Sequence, residues 1–261
     1  MRIVVSIKQV PETTEVKIDP AKNSVDTEGL TRIINPYDTY ALEEAVRIKE
    51  ASGATVAVIS VGPEKVDESL REALAMGADE GFHLSDPAFE GSDPLATAYI
   101  LARGIEKLGP YDLVICGRQA MDGASGQVGP SLAEELGLPC VTFVRKIEEL
   151  KEGYIRVQRM TDDGYEVVEG PLPMVITVVK EINEPRLASL KGLMKAKRVT
   201  IPVWNASDLG LDPARYGPAG SPTSVARLSP PPPRTGGEMI EGTPEEQVRI
   251  LVRKLRDAKV L

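Results

Sequence analysis

Short β-branched runs alternate with helical segments along this chain, and that rhythm is the strongest limit on its fold. Apolar runs stand at Arg2–Ile7, Thr55–Val61, Gly81–Leu84, Leu113–Cys116 and Cys140–Val144. Between them lie segments with helix punctuation. Asn35-Pro36 opens one that reaches about Ala51 and stops at Gly53. Lys65–Met76 ends at Gly77, Pro94–Leu108 begins with proline, and Pro130–Leu136 ends at Gly137. Asn caps a helix start, Pro suits the first helical position, and Gly permits the left-handed turn that ends a helix. Strands and helices at this spacing imply βαβ units with right-handed crossovers. The expected fold class is α/β: a doubly wound, mainly parallel sheet with helices on both faces.

The rhythm changes after Arg145. Tyr154–Met160 and Tyr165–Glu169 read as a β-hairpin with Asp163-Gly164 at its turn, and Met174–Val179 adds a strand. A shorter hairpin is expected around Val16–Ile18. From Pro202 to Thr243 periodicity gives way to Pro and Gly, including Pro230–Pro233, as in an extended arm. A last helix runs from Pro244 to about Leu255, with Thr243 and Glu246 as a capping box. Its Val248, Leu251, Val252 and Leu255 form one apolar stripe, suited to docking on its own domain or on another subunit. These readings divide the chain into an α/β domain, 1–201, and an extended C-terminal arm with its helix, 202–261.

Composition removes several function classes. A formal charge of −8 and 4% aromatic residues disfavour nucleic acid as a partner. No apolar run approaches membrane-spanning length, so a membrane-embedded chain is not expected. The start, MRIVVSIK, reads as a strand rather than a signal segment. The two cysteines, Cys116 and Cys140, form no CxxC pair, which fits a reducing cytoplasm and no cysteine metal site. With His83 as the sole histidine, neither a Ser-His-Asp triad nor a multi-histidine metal site can be assembled.

Two segments carry chemistry. Leu113–Pro130 (LVICGRQAMDGASGQVGP) runs from a strand through glycines 117, 123, 126 and 129 into a helix. That order places backbone amides and a helix N-terminus where a phosphate can sit. It matches neither GxGxxG nor the P-loop, and glycines also serve ordinary turns. Its strand should end beside the first strand, at the switch-point crevice of a doubly wound sheet. The second segment, Asn183–Arg198, holds Arg186, Lys191, Lys195, Lys197 and Arg198 with Leu187, Leu190 and Leu193 between them. It reads either as a solvated basic loop or as a docking loop for an acidic protein surface.

Pro171–Arg198 (PLPMVITVVKEINEPRLASLKGLMKAKR) resembles the signature region of the electron transfer flavoprotein β subunit. NPYD at Asn35–Asp38, SVGP at Ser60–Pro63 and ALAMGAD at Ala73–Asp79 resemble it too, and the similarity covers roughly Met1–Trp204. The resemblance implies an adenine-nucleotide alpha-hydrolase-like sheet. It implies a heterodimer with an α subunit, which holds most of an FAD. Thr13, Thr14 and Tyr37 would approach that flavin from this side.

The resemblance also implies a buried AMP, with its phosphate on the glycine loop. Its contacts would be Ser6, Asn35, Pro36, Tyr37, Asp38 and Val61, then Gly117, Arg118, Gln119, Asp122, Gly123, Ser125, Gly126, Gln127 and Val128. The run DGASGQVGP instead resembles members whose β subunit binds a second FAD and bifurcates electrons. Their DTxAT pattern corresponds to Asp93–Thr97, with Thr97 matching and Pro94 departing. AMP is the implied ligand and a second FAD the alternative.

Leu190 would anchor partner dehydrogenases, with Lys191, Lys195 and Lys197 around it. Those partners would be acyl-CoA or other flavin dehydrogenases, as in fatty acid oxidation, and a downstream quinone oxidoreductase would accept the electrons. On this reading the chain is a carrier subunit without catalytic residues of its own. A stand-alone adenine-nucleotide protein and a scaffold with a vestigial site are the competing readings.

Overall fold

A computed structural model describes residues 1–12, 17–19, 24–26, 29–229 and 236–261. Thr13, Thr14, Val16 and Pro230–Pro233 therefore lie outside the described residues. The chain divides into two compact units, one of Met1–Lys17 and Val25–Ala226, the other of Ile18–Ser24 and Arg227–Leu261. Residues 202–226, expected to begin the arm, thus belong with the first unit.

The strands are β1 (Arg2–Ser6), β2 (Gln9–Pro11), β3 (Lys17–Asp19), β4 (Ser24–Asp26), β5 (Arg32–Ile34), β6 (Thr55–Val61) and β7 (Glu80–Leu84). They continue as β8 (Leu113–Gly117), β9 (Cys140–Lys151), β10 (Tyr154–Thr161), β11 (Gly164–Pro171), β12 (Met174–Val178) and β13 (Val203–Trp204). The helices are α1 (Pro36–Ser52), α2 (Val66–Met76), α3 (Pro94–Leu108), α4 (Val128–Leu136), α5 (Leu190–Ala196), α6 (Gly217–Gly220) and α7 (Pro244–Asp257). One nine-stranded sheet has the order β11-β10-β9-β12-β8-β1-β6-β7-β13. It is parallel from β9 through β12 to β13, while β9, β10 and β11 form an antiparallel meander. Two small pairs, β2 with β5 and β3 with β4, complete the strands among the described residues.

Burial on both faces explains the near-continuous apolar strands. Along β1, Ile3 and Val5 enter a core shared with α1 and α2, whereas Val4 enters a second core shared with α3 and α4. Leu113 and Ile115 of β8 take the first side, Val114 and Cys116 the second. Leu42 and Ile105 are fully buried on opposite faces, and each contributes about 1.5–3 kcal/mol through that burial.

The structure differs from the sequence reading at several elements. β9 continues to Lys151 rather than stopping at Val144, with register shifts where β10 pairs with it. Those shifts break the alternation that would have marked a long strand. The β10–β11 turn is Asp162-Asp163, since Thr161 already pairs with Gly164. Val203–Trp204 adds a two-residue edge beside β7, too short to show a period. Beyond it, Leu211 is buried in the second core, with Ala206, Leu209 and Tyr216 packed against it. His83 is a packing residue, with Nε2 2.9 Å from the Gly62 carbonyl oxygen.

In the second unit, α7 carries the capping box: Thr243 Oγ1 accepts from Glu246 N–H, and the Glu246 carboxylate accepts from Thr243 N–H. No residue of α7 is buried, and Val248 and Leu251 of its stripe are exposed.

Candidate functional site

β1 is flanked by β6 on one side and β8 on the other, so the chain reverses its direction of sheet growth there. Ligands of doubly wound sheets bind beyond the carboxyl ends of strands at such a point. A cavity of about 1080 Å³ opens there, walled by Ser6 of β1, Val61 of β6, and Cys116 and Gly117 of β8. Of the expected nucleotide residues, Ser6, Asn35, Asp38, Val61, Gly117, Arg118, Gln119, Gly123, Ser125, Gly126, Gln127 and Val128 lie in its wall. Pro36, Tyr37 and Asp122 do not. Asp122 instead grips Lys8, whose Nζ donates to both carboxylate oxygens at 2.7 Å.

The start of α1 is tied to the glycine loop through Asn35. The sequence marks Asn35 as a cap, but its side chain makes no capping bond. Its Nδ2 donates to Gln119 O at 2.9 Å and its Oδ1 accepts from Met121 N–H at 3.0 Å. One buried amide thereby fixes both partners of the loop. Beside it, Asp38 Oδ2 accepts from Lys8 N–H at 2.7 Å. Burial pushes the Asp38 carboxyl up to about 7, against the pull of hydrogen bonds from Asn35, Lys8 and Gly117 and of the Lys8 charge. The approach leaves no room at Gly117. A Cβ there would lie 2.2 Å from Asp38 Oδ1, 2.7 Å from Tyr37 C and 2.8 Å from Asp38 N.

The loop turns through Ala124 at φ 49° and Gly126 at φ 63° before α4 begins. Gln127 offers α4 no side-chain cap, so its first-turn amides lack both intrahelical and capping acceptors. Val128 and Gly129 line the cavity, and a Cβ on Gly129 would lie 2.4 Å from Thr177 Cγ2. Such a helix start can receive an anion, by its free amides and its dipole. Arg118 adds a charge, and its buried Nε has no hydrogen-bond partner among the described residues. Cys116 lies in the same wall, but burial, then the Asp38 charge, pushes its thiol far above the ordinary range. The thiolate required of a nucleophile is thereby suppressed.

The far wall was not legible in the sequence beyond the Asp93–Thr97 pattern. Pro94, Thr97 and Leu101 of α3 line it together with Thr223 and Val225. Asp93 caps α3 through Oδ1, accepting from Leu95 and Ala96 N–H at 3.0 Å. Its Oδ2 accepts from Thr223 N–H at 3.0 Å and Oγ1 at 2.7 Å, which fixes the 223–225 segment against the cavity. Pro94 occupies the first helical turn, where a missing N–H is harmless. Lys8 was missed as well. Its position directly after β1 was the available signal, because residues just past strand ends line such crevices.

The basic segment is a helix on a braced base. Ser189 Oγ accepts from Gly192 N–H at 2.9 Å and starts α5. Arg186 is not free for docking: it pairs with Glu43 at 2.8 Å and with Glu50 at 2.5 Å. Burial opposes ionisation of Glu43, but hydrogen bonds from Arg186 and Arg47 outweigh it and hold the carboxyl below the usual range. Arg71 braces the other end, donating to Ala196 O and Val199 O. Leu187 and Leu190 stand 93% and 77% exposed on this base, and Lys191, Lys195 and Lys197 are exposed around them.

A family model described as the electron transfer flavoprotein domain matches residues 22–209. An electron transfer flavoprotein subunit beta from Thermoanaerobacterium thermosaccharolyticum is 47% identical over all of both chains. The chain belongs to the electron transfer flavoprotein β-subunit family. Within it, the caffeyl-CoA reductase-Etf complex subunit CarD of Acetobacterium woodii is 47% identical, again over all of both chains. Protein FixA of Azorhizobium caulinodans is 40% identical over 90% of this chain and 86% of its own. As a β subunit of this family, the chain has an electron-transfer role. Among the described residues, no helix is long and apolar enough to cross a membrane.

Proposed function

We propose that this β subunit pairs with an α subunit that holds most of one FAD, and that the cavity at its own switch point holds a second FAD. The cavity carries the reading. Its volume of about 1080 Å³ lies just above the usual range of small-molecule sites, roughly 300–1,000 Å³, and suits a dinucleotide better than AMP. Two features fit an anionic nucleotide there: the uncapped start of α4 and the unpaired Arg118 guanidinium in the wall. Thr97 lies in the wall, and Pro94 is compatible with the helix start, so the departure from DTxAT has no structural cost. A bound flavin supplies the redox chemistry. The chain's residues bind it, orient it and set the charge around it.

Leu190, with Lys191, Lys195 and Lys197, docks the dehydrogenase; the braced base and exposed side chains support this. The relative named for a caffeyl-CoA reductase complex favours an acyl-CoA-type dehydrogenase as donor or acceptor. The free thiols of Cys116 and Cys140 agree with a cytoplasmic setting. Residues 202–226 accompany the nucleotide domain, and the arm that reaches the α subunit starts after Ala226. The test is to co-express the chain with its α partner, denature the purified complex and quantify FAD and AMP. Two FAD and no AMP per complex is the expected result. One FAD and one AMP would overturn the second-flavin reading and make AMP the structural ligand.

A further inference from the structure

Arg118 lacks the carboxylate partner that several other arginines of the chain have. Arg2, Arg47, Arg71, Arg103, Arg186 and Arg215 each pair with a carboxylate. Arg118 lines the cavity, yet its guanidinium forms no ion pair or hydrogen bond among the described residues. An aromatic ring holds it instead: Arg118 Cζ lies 5.1 Å from the centroid of Phe143. A guanidinium on an aromatic face keeps its N–H groups available at the ring's edge.

Phe143 is held in an unusual backbone state to do this. Its φ is 59°, a region that bulky L residues rarely enter. Its N–H donates to Thr177 Oγ1 at 3.1 Å. Thr177 is buried and abuts Gly129 in the first turn of α4. The β9–β12 ladder shifts register between Ile176 and Val178, and Arg118 N–H donates to Val178 O at 2.9 Å. The strain therefore sits where β9 passes the carboxyl ends of β8 and β12, next to the cavity. Strain of this kind persists where neighbours over-determine it, and it clusters at ligand sites. Relaxing Phe143 to ordinary strand geometry would carry its ring away from Arg118 and break the bond to Thr177.

We infer that Phe143 is a positioning residue: fixed by Thr177, its ring holds the Arg118 guanidinium at the cavity wall as counter-cation to the bound nucleotide's negative charge. The inference rests on the reading of the cavity as a nucleotide site. A ring that only packs would affect stability, and its loss would leave the salt dependence of binding unchanged.

The test uses the complex with its α partner, freed of the nucleotide bound to this chain and titrated with FAD and, separately, AMP. Phe143→Leu is expected to weaken binding about 3- to 10-fold and to flatten its salt dependence, as Arg118→Gln does. Phe143→Tyr restores both, and Phe143→Leu has no further effect once Arg118→Gln is present. Thr177→Val, which removes the acceptor of the Phe143 amide, gives the same pattern should Phe143→Leu fail to assemble. An equal loss for FAD and AMP places the paired charge on the shared phosphate, and a loss with FAD alone places it on the rest of the dinucleotide. Equal weakening by Phe143→Leu with and without Arg118, or unchanged affinity and salt response, would overturn the proposal. Failure of the wild-type complex to bind either nucleotide would instead overturn the reading of the cavity itself.

Discussion

Gly117→Ala tests how tightly the glycine loop is built against α1. The added methyl would meet Asp38 Oδ1 at 2.2 Å and backbone atoms of Tyr37 and Asp38 at 2.7 and 2.8 Å. A flexible side chain could swing aside, but backbone at the start of α1 cannot. The end of β8 must then move away from α1. Overpacking of this kind costs about 1–3 kcal/mol. Moving Gly117 also strains its N–H bond to the buried Asp38 carboxyl, worth about 1 kcal/mol more. A total near 3 kcal/mol lowers the midpoint of thermal unfolding by roughly 6–12 °C for a domain of this size. Gly123→Ala is the control for stability alone, since its Cβ would meet no described protein atom within 4 Å in the same loop. Thermal unfolding of the purified complex reads stability, and nucleotide released on denaturation reads the site. We expect Gly117→Ala to lose several degrees and most of the nucleotide from this chain, and Gly123→Ala to keep its unfolding midpoint. A Gly117→Ala complex within about 1 °C of wild type with its nucleotide intact would refute the reasoning, as would an equal fall in unfolding midpoint from both substitutions.

The other predictions address charge and docking. Asp38 titrates near 7 in the folded chain, so it is neutral below that pH and negative above it. Because its folded value is raised, the stability contribution present below about pH 4 is lost as pH rises through about 7. A bound anion favours the neutral form as well, so nucleotide affinity should fall between about pH 6 and 8, and Asp38→Asn should flatten that profile in a titration series. Leu190→Ala should slow electron transfer from the dehydrogenase by about tenfold or more, as expected of a hot-spot anchor, and leave nucleotide content unchanged; equal stopped-flow rates would refute its docking role. Leu251→Asp places a charge in the unburied stripe of α7, and it should weaken association with the α subunit without lowering the unfolding midpoint of the isolated chain. Unchanged association by sedimentation would remove that stripe from the interface.

The parallel sheet was legible because its signals are local. Buried strands such as Thr55–Val61 are nearly continuously apolar, and helix ends carry their own punctuation, as Gly53 and Gly137 do at left-handed φ. What escaped detection depends on contacts distant in sequence. Asn35 has every local mark of a cap, yet its amide bonds to Gln119 and Met121 across the crevice, a use that no window around Asn35-Pro36 can display. Arg186 sits among lysines and looks like part of a docking patch, but Glu43 and Glu50, on a helix far back in the chain, take it out of that role. The cavity wall at Thr223 depends on Asp93 in the same way. Phe143 is the sharpest instance: the run Cys140–Val144 reads as an ordinary strand, and only Thr177 and the adjoining register shift hold one of its residues in a left-handed conformation. In each case a locally ordinary residue takes its role from a partner elsewhere in the chain. Sequence periodicity therefore locates the crevice at the ends of β1 and β8, while the groups that set its charge are fixed only by the packing around it.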